Sequence, residues 1–247
     1  MEHNRRLHIL DVGHGNSAVL VDDGGVVVID AGPNNTLLEF LLQENISHVQ
    51  LVLISHADAD HIRGLLALIA SEFVSIGGIY LNSDAQKSSD LWEDLLYTLN
   101  LIHHPTGGTF RASLHVGMDN ELRCGRVKIE VLAPSFYLAG LGPGATDREG
   151  NKLTSNTVSA VIRLSQNEER IALLPGDIDT VGLDYLLRDV PDPSAPIAVF
   201  PHHGGRPGRT GQPATFAQAF ARAVHPSVML FSIGRGGQHS QPSERCC

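Results

Sequence analysis

Cysteine and long apolar runs are both scarce in this sequence of 247 residues. Its three cysteines, Cys124, Cys246 and Cys247, are an odd number with an adjacent pair, which does not form a disulfide framework. No run approaches the roughly 18–20 apolar residues that a membrane helix needs, and the apolar stretch after the charged N-terminus is too short for a secretory signal. We therefore expect a cytoplasmic protein that does not enter a membrane.

Basic residues are also in the minority. Lysine and arginine number 18 against 27 aspartates and glutamates, which gives a formal net charge of −9. Nucleic-acid binding normally draws on a basic surface, because neutralised phosphates release counterions. The acidity weakens a nucleic-acid substrate without excluding one, since bound divalent cations would cancel part of it. The 42% apolar and 18% charged fractions indicate a globular chain, and we expect one domain over residues 1–247.

The most informative stretch is residues 55–61, directly after an apolar run. A buried strand that ends here directs His56 and Asp58 to one side by the alternation of extended chain, and then presents Asp60 and His61. Two divalent ions about 3.5–4 Å apart, held by such groups, can activate a water and clamp phosphoester oxygens. The alternative is a solvated turn capped by Asp58 or Asp60. Capping explains one carboxylate, but not two histidines around two aspartates.

This stretch resembles the signature motif of the metallo-β-lactamase fold superfamily, usually His-x-His-x-Asp-His, with Asp58 in place of the second histidine. The form His-x-Asp-x-Asp-His is similar to the branch that contains the nuclease-like domain of the competence DNA-uptake protein ComEC. Other matches to that branch lie in chain order at residues 11–17, 30–32, 156–159, 174–177 and 202–204. The resemblance implies an α/β fold, a four-layer αββα sandwich of two mixed β-sheets with the site at one edge.

The resemblance also implies a set of metal ligands. These are His56, Asp58, Asp60, His61, Asp177 and His202. Asp177 would bridge two divalent ions, and His202 would complete the second metal position. Asn156 stands where better-known hydrolases of the fold carry a histidine, so the first position is rich in oxygen donors. Carboxylate and amide oxygens favour Mn²⁺, with Zn²⁺ or Mg²⁺ as alternatives.

Further residues are expected to act on the substrate. The predicted catalytic residues are Asp60, Asp177, His203 and His239. The predicted substrate-binding residues are Asn16, Asn156, Arg206 and Arg209. His203 would contact substrate or orient a ligand, and His239, after a glycine-rich turn that resembles a ComEC-like element, would protonate the leaving oxygen. Arg206 and Arg209 form a local basic cluster whose guanidinium groups suit phosphate oxygens. For Asn16, a plain turn role is an equal alternative to a hydrogen bond with substrate.

The predicted function is metal-dependent hydrolysis of phosphodiester bonds in DNA or RNA by a two-metal-activated water. One alternative is a small-molecule hydrolase acting on a cyclic nucleotide, a lactone or a β-lactam, which the net acidity favours over long DNA. Another is a partner-regulated effector subunit of a toxin or defence system. The family pattern normally continues with a helix and a closing strand, whereas this chain stops at Cys247. Either the domain is trimmed, or a protein partner or another segment covers its C-terminal edge.

Overall fold

The first β-sheet is built from the N-terminal strands in sequence order. The structure, a computed structural model, describes residues 5–103, 109–118, 122–209 and 211–234. Side by side lie β1 (Arg6–Ile9), β2 (Ser17–Asp22), β3 (Gly25–Ala31), β4 (His48–Ile54), β5 (Ser75–Leu81) and β6 (Thr109–Arg111). The helices that follow β3, β4 and β5 are α1 (Thr36–Gln43), α2 (Ala59–Ile69) and α3 (Asp90–His103). The sheet is mixed, because β1, β2 and β3 pair antiparallel and the others pair parallel.

The second sheet is formed by the C-terminal half of the described chain. Its strands, in spatial order, are β7 (Arg123–Cys124), β8 (Val127–Ala133), β9 (Val161–Gln166), β10 (Glu169–Leu174), β11 (Ile197–Val199) and β12 (Val228–Leu230). The helices of this half are α4 (Phe136–Leu141), α5 (Thr180–Asp189) and α6 (Pro213–Val224), and a short 3₁₀ turn spans Pro201–Gly204. The strands β10, β11 and β12 pair parallel, whereas β7 to β10 pair antiparallel.

Three layers of apolar side chains hold these elements together. Alternation along β3 places Val27 and Ile29 between the two sheets and Val28 against the helices α1 to α3. In the second sheet, Leu164 faces the first sheet, and Val161 packs with side chains of α5 and α6. Each such side chain contributes roughly 1.5–3 kcal/mol when it is fully buried. Helices therefore cover the outer face of each sheet, which confirms the predicted four-layer αββα sandwich.

The functional residues gather where β3, β4, β10 and β11 end. The backbone N–H of Ser55, after β4, donates to the Asp30 carboxylate at the end of β3, over 2.7 Å. The Ser55 carbonyl accepts from Ala160 before β9, over 2.9 Å. The backbone N–H of His202, after β11, donates to the Gly176 carbonyl after β10, over 3.2 Å. These contacts join the carboxyl ends of β3 and β4, those of β10 and β11, and the end of β4 to the start of β9, at one edge of the sandwich.

Some elements differ from what the pattern predicts. The sequence pattern predicts a helix over residues 213–224, which matches α6. It also predicts a strand over residues 157–164, but β9 begins only at Val161. Thr157 does not continue the strand, because its hydroxyl donates to Asp179 over 2.7 Å and holds a turn. No helix in the described ranges is long and apolar enough to cross a membrane. The expectation of one domain over residues 1–247 stays a prediction.

Candidate metal centre

The turn between β4 and α2 aims its polar side chains into the molecule. Asp58 occupies the N-cap position of α2 in extended conformation, yet its side chain makes no capping hydrogen bond. One carboxylate oxygen of Asp58 pairs with the Lys87 ammonium, and the other lies 3.7 Å from His56 Nε2. Burial raises the pKa of Asp58, but His56 and Lys87 lower it by more. The carboxylate therefore belongs to the buried polar centre and does not serve as a helix cap.

Four side chains place metal-capable atoms close together. They are Asp60, His61, Asp177 and His203, whose donor atoms all lie within 4.8 Å of one another. The Asp177 Oδ1 atom lies 3.2 Å from His61 Nε2 and 3.4 Å from His203 Nε2. His203 Nε2 is also 3.4 Å from Asp60 Oδ2. We call these residues the four-donor group. Two imidazoles and two carboxylates suit a divalent cation of the transition series.

Several metal-capable atoms of this site make no hydrogen bond. In the described part of the chain, His56 Nε2, His61 Nε2, His203 Nε2 and Asp177 Oδ1 are buried without a hydrogen-bond partner. A buried polar atom left unpaired costs about 1–3 kcal/mol, and a charged one costs more. Coordination to metal ions would satisfy these atoms, because those of His61, His203 and Asp177 lie within 4.8 Å of one another and His56 Nε2 lies 3.8 Å from Asp177 Oδ2. The residues present therefore fit a metal centre.

A carboxylate behind the centre fixes both motif histidines. His61 Nδ1 lies 2.9 Å from Asp30 Oδ2, and the Ser55 hydroxyl donates to the same oxygen over 2.9 Å. His56 Nδ1 in turn lies 3.0 Å from Ser55 Oγ. We assign the imidazole proton to Nδ1 in both rings, since Asp30 and Ser55 accept there. This assignment leaves each Nε2 free to bind metal, as in other metal sites where a carboxylate orients a histidine ligand.

The pKa values of the four-donor group are strongly shifted from their ordinary values. Burial alone would raise the pKa of Asp60, but His203 and His61 lower it to about 2. Burial opposes protonation of His203, whereas the Asp177 and Asp60 carboxylates raise its pKa to about 9. Burial lowers the pKa of His61, but Asp177 and Asp30 raise it by more. Burial raises the pKa of Asp177, but His61 and His203 lower it by more. In the metal-free protein near neutral pH, His203 therefore carries a second ring proton, and a metal ion must displace it from Nε2.

The tandem histidines after β11 differ from the sequence-based assignment. His202 was expected as the ligand, but the structure brings His203 into the four-donor group, and His202 lies outside it. Both residues have left-handed backbone, with φ of 53°, so the chain turns sharply between their side chains. The His203 Nδ1 atom lies 2.8 Å from the Ser232 carbonyl, which holds its Nε2 toward Asp60. Sequence spacing cannot resolve which of two adjacent histidines such a turn directs inward.

The glycine-rich turn after β1 packs directly on Asp60. The Asn16 backbone N–H donates to the Asp60 carbonyl over 3.3 Å, and a Cβ at Gly15 would overlap that carbonyl oxygen. His14 Nε2 lies 3.6 Å from Asp60 Oδ2, and the His14 ring sits 4.6 Å from the His203 ring. Asn16 thus supports the Asp60 backbone. His14 was not among the predicted site residues, although the motif that resembles the ComEC-like branch contains it.

The remaining predicted residues are Asn156, Arg206, Arg209 and His239, and none of them belongs to the four-donor group. Asn156 is half-buried in the turn held by Thr157, before β9. Arg206 and Arg209 are exposed on the loop after the 3₁₀ turn. His239 lies outside the described residues, so its role as a proton donor stays a prediction.

Lys87, like His14, contacts the centre without being part of any predicted site. It lies on the loop after β5, and β5 pairs parallel with β4, which carries the histidine motif at its carboxyl end. Loops after neighbouring parallel strands meet at the same edge of a sheet. Only this topology could have predicted the contact, because Lys87 lies 29 positions after Asp58 in sequence.

The family of the chain follows from its sequence as well as its geometry. The family model described as Metallo-beta-lactamase superfamily matches residues 10–205, which is most of the chain. The chain belongs to this superfamily. Membership implies a metal-dependent hydrolase, and the four-donor group supplies the metal-binding side chains that such an enzyme needs. The narrower ComEC-like assignment stays a prediction.

Solved structures share the fold at low sequence identity. The metallo-beta-lactamase fold protein YhfI from Bacillus subtilis is 11% identical with a TM-score of 0.55, over 98% of this chain and 92% of that one. The short form of human tRNase Z is 13% identical with a TM-score of 0.51, over 93% of each chain. A mutant of the CmlA beta-hydroxylase is 12% identical with a TM-score of 0.55, over 100% of this chain and 48% of that one. No curated protein sequence matches the chain significantly.

Proposed function

We propose that this protein hydrolyses phosphodiester bonds in nucleic acid or nucleotides, with divalent metal ions held by its buried centre. The four-donor group, with its unpaired buried donors, carries this proposal. His56 and Asp58 beside Asp177 supply a second position, because Asp177 Oδ2 lies 3.8 Å from His56 Nε2 while its Oδ1 faces His61. One oxygen of the Asp177 carboxylate thus lies near each of the two proposed metal positions, which is the arrangement that a bridging ligand requires.

The donors favour a hard or borderline cation. Three carboxylates, those of Asp58, Asp60 and Asp177, lie among three histidines, so oxygen and nitrogen donors are balanced. We propose Mn²⁺ as the ion, with Zn²⁺ or Mg²⁺ as alternatives. When bound, such ions supply Lewis acidity and lower the pKa of a coordinated water.

The chain's own residues then have separate tasks. Asp30 and Ser55 keep His61 and His56 oriented, while Asp60 and Asp177 hold negative charge at the reacting position. We assign His203 to metal binding, since its Nε2 atom lies within the four-donor group and its Nδ1 atom is engaged by the Ser232 carbonyl. His239 remains the predicted proton donor to the leaving oxygen, and Arg206 and Arg209 the predicted phosphate-binding residues.

A groove beside the centre bears on the size of the substrate. It has a volume of about 720 Å³, and Leu7, Ile9, Asp11 and the segment 230–234 line it. Ser232 lines this groove, and its carbonyl lies 2.8 Å from His203 Nδ1. Small-molecule sites typically measure 300–1,000 Å³ and are mostly apolar. With the net charge of −9, this groove supports a nucleotide-sized phosphodiester as the second candidate substrate beside nucleic acid.

Cleavage of several substrates side by side tests the proposal. Purified protein with Mn²⁺ would be given a generic phosphodiester, a cyclic nucleotide, single- and double-stranded DNA, RNA, a lactone and a β-lactam. We expect turnover of at least one phosphodiester and none of the lactam. Cleavage of lactone or lactam alone would refute the proposal. Activity that appears only with a co-purified protein would instead favour the partner-regulated effector subunit.

A further inference from the structure

The ion pair between Lys87 and Asp58 places a cation at one half of the centre. The Lys87 ammonium contacts Asp58 Oδ1, and both side chains are largely buried, with 26% and 32% exposure. The opposite oxygen of Asp58 lies 3.7 Å from His56 Nε2. The lysine charge thus sits on the carboxylate that, with His56 and Asp177, would form the second metal position.

The loop that carries Lys87 is anchored for this contact. The Lys87 backbone N–H donates to the Asp84 carbonyl over 3.1 Å, and the Gln86 N–H donates to the Asp84 carboxylate over 3.1 Å. Asp84 is buried, and the Gln86 side chain packs closely against Gly144. The backbone at Lys87 is therefore fixed beside Asp58, while its four-carbon side chain keeps the freedom to move.

The chemistry of lysine suits an exchangeable cation. The chain contains 18 basic residues, of which three are lysines. An arginine would grip a carboxylate by two fixed hydrogen bonds, whereas an ammonium is a compact and strongly hydrated charge on a flexible stem. The partial exposure of Lys87 gives the ammonium access to water when it leaves Asp58.

We propose that Lys87 competes with a divalent ion for Asp58, so that the two metal positions fill in sequence. The four-donor group, which has no contact with Lys87, takes the first ion tightly. The second ion binds at His56, Asp58 and Asp177 only when the Lys87 ammonium gives up the Asp58 carboxylate. Two cations on one carboxylate repel each other, and this repulsion weakens the second position. The inference rests on the metal-dependent function proposed above, and its test counts bound ions without requiring turnover.

Metal titration of chelator-stripped protein tests this proposal. Calorimetry with Mn²⁺ and with Zn²⁺, supported by elemental analysis, would compare the wild type with Lys87→Met. We expect the wild type to bind its second ion about tenfold or more weakly than its first, and Lys87→Met to tighten the second ion by about tenfold. Lys128→Met is the matched control, because Lys128 also pairs with a carboxylate, that of Glu130 at 3.1 Å. This control should bind metal as the wild type does.

A double-mutant cycle separates competition from damage to the fold. In an Asp58→Asn background, Lys87→Met should leave metal binding unchanged, since the contested carboxylate is gone. Lys87→Arg, which keeps the charge, should keep the second ion weak. Two ions of equal affinity in the wild type, or an unchanged second affinity in Lys87→Met, would overturn the proposal. Sequential filling in a protein that cleaves no phosphodiester would refute the proposed function alone. A protein that binds no divalent ion would overturn both.

Discussion

The Nδ1 atom of His61 lies 2.9 Å from Asp30 Oδ2, and the Nε2 atom of the same ring lies 3.2 Å from Asp177 Oδ1. One imidazole thus connects a structural carboxylate at the end of β3 with a donor carboxylate after β10. The two sheets of the sandwich are joined through this ring. The orientation of a metal ligand and the packing of the fold therefore depend on the same residue.

Replacing Asp30 by asparagine should weaken metal binding. In Asp30→Asn the amide cannot accept equally from His61, from the Ser55 hydroxyl and from the Ser55 backbone N–H. Loss of such a supporting carboxylate costs about 10–100-fold in metal affinity. Calorimetric titration measures the change, and Asp94→Asn on the exposed face of α3 serves as the control. Equal affinity in Asp30→Asn and wild type would show that Asp30 does not orient the ligands.

The pH dependence of the metal-free protein should reflect His203. Its pKa is raised from 6.5 to about 9, so protonation of the folded state contributes stability that is fully present below pH 6.5. That contribution is lost as the pH rises through about 9. Thermal unfolding after chelation should therefore show a falling midpoint over this range, and His203→Asn should show a smaller fall.

Metal affinity should change in the opposite direction over the same pH range. Because His203 and His61 must lose their protons to bind an ion, affinity should rise as the pH approaches 9. Titration at several pH values, with proton release measured in buffers of different ionisation enthalpy, checks this. Binding without proton release would contradict the charge state assigned to the four-donor group.

Replacing Gly176 by alanine should destabilise the fold. Gly176 has a φ of +54°, and a Cβ there would overlap Ser159 Oγ and approach Ser55. A strained backbone combined with overpacking costs about 1–3 kcal/mol. Urea unfolding of the chelated protein measures the loss. Gly140→Ala is the control, since a Cβ at Gly140 meets nothing within 4 Å and alanine favours helix. Equal stability of the two variants would show that the turn before Asp177 is not constrained.

The sequence predicts the fold class because one motif and five ordered matches identify the family, and because apolar alternation marks the central strands. It does not predict α5, although Asp179 caps that helix and the spacing of Leu183, Leu186 and Val190 is helical. The helix begins three residues after the ligand candidate Asp177, within a stretch whose aspartates also fit a polar turn. The short helix α4 runs into a segment rich in glycine and polar residues, residues 139–152, where the helical signal is weak.

The candidate site is predictable only in part, for physical reasons. The local motif contains His56, Asp58, Asp60 and His61, and their proximity follows from the end of one strand. The choice between His202 and His203 depends on two left-handed residues, which spacing does not reveal. The pairing of Lys87 with Asp58 is a contact between loops, and local sequence does not encode it.

Metal-dependent cleavage by an Asp177 variant tests the central claim most directly. Purified wild type and Asp177→Asn would be stripped with chelator, and Mn²⁺, Mg²⁺ or Zn²⁺ would be added back separately with labelled DNA, RNA and nucleotide diesters. The account predicts no cleavage after chelation, recovery in the wild type with Mn²⁺ above the other ions, and a loss of about a thousandfold or more in a folded Asp177→Asn. Cleavage that survives chelation, or that Asp177→Asn retains at the wild-type rate, would contradict it.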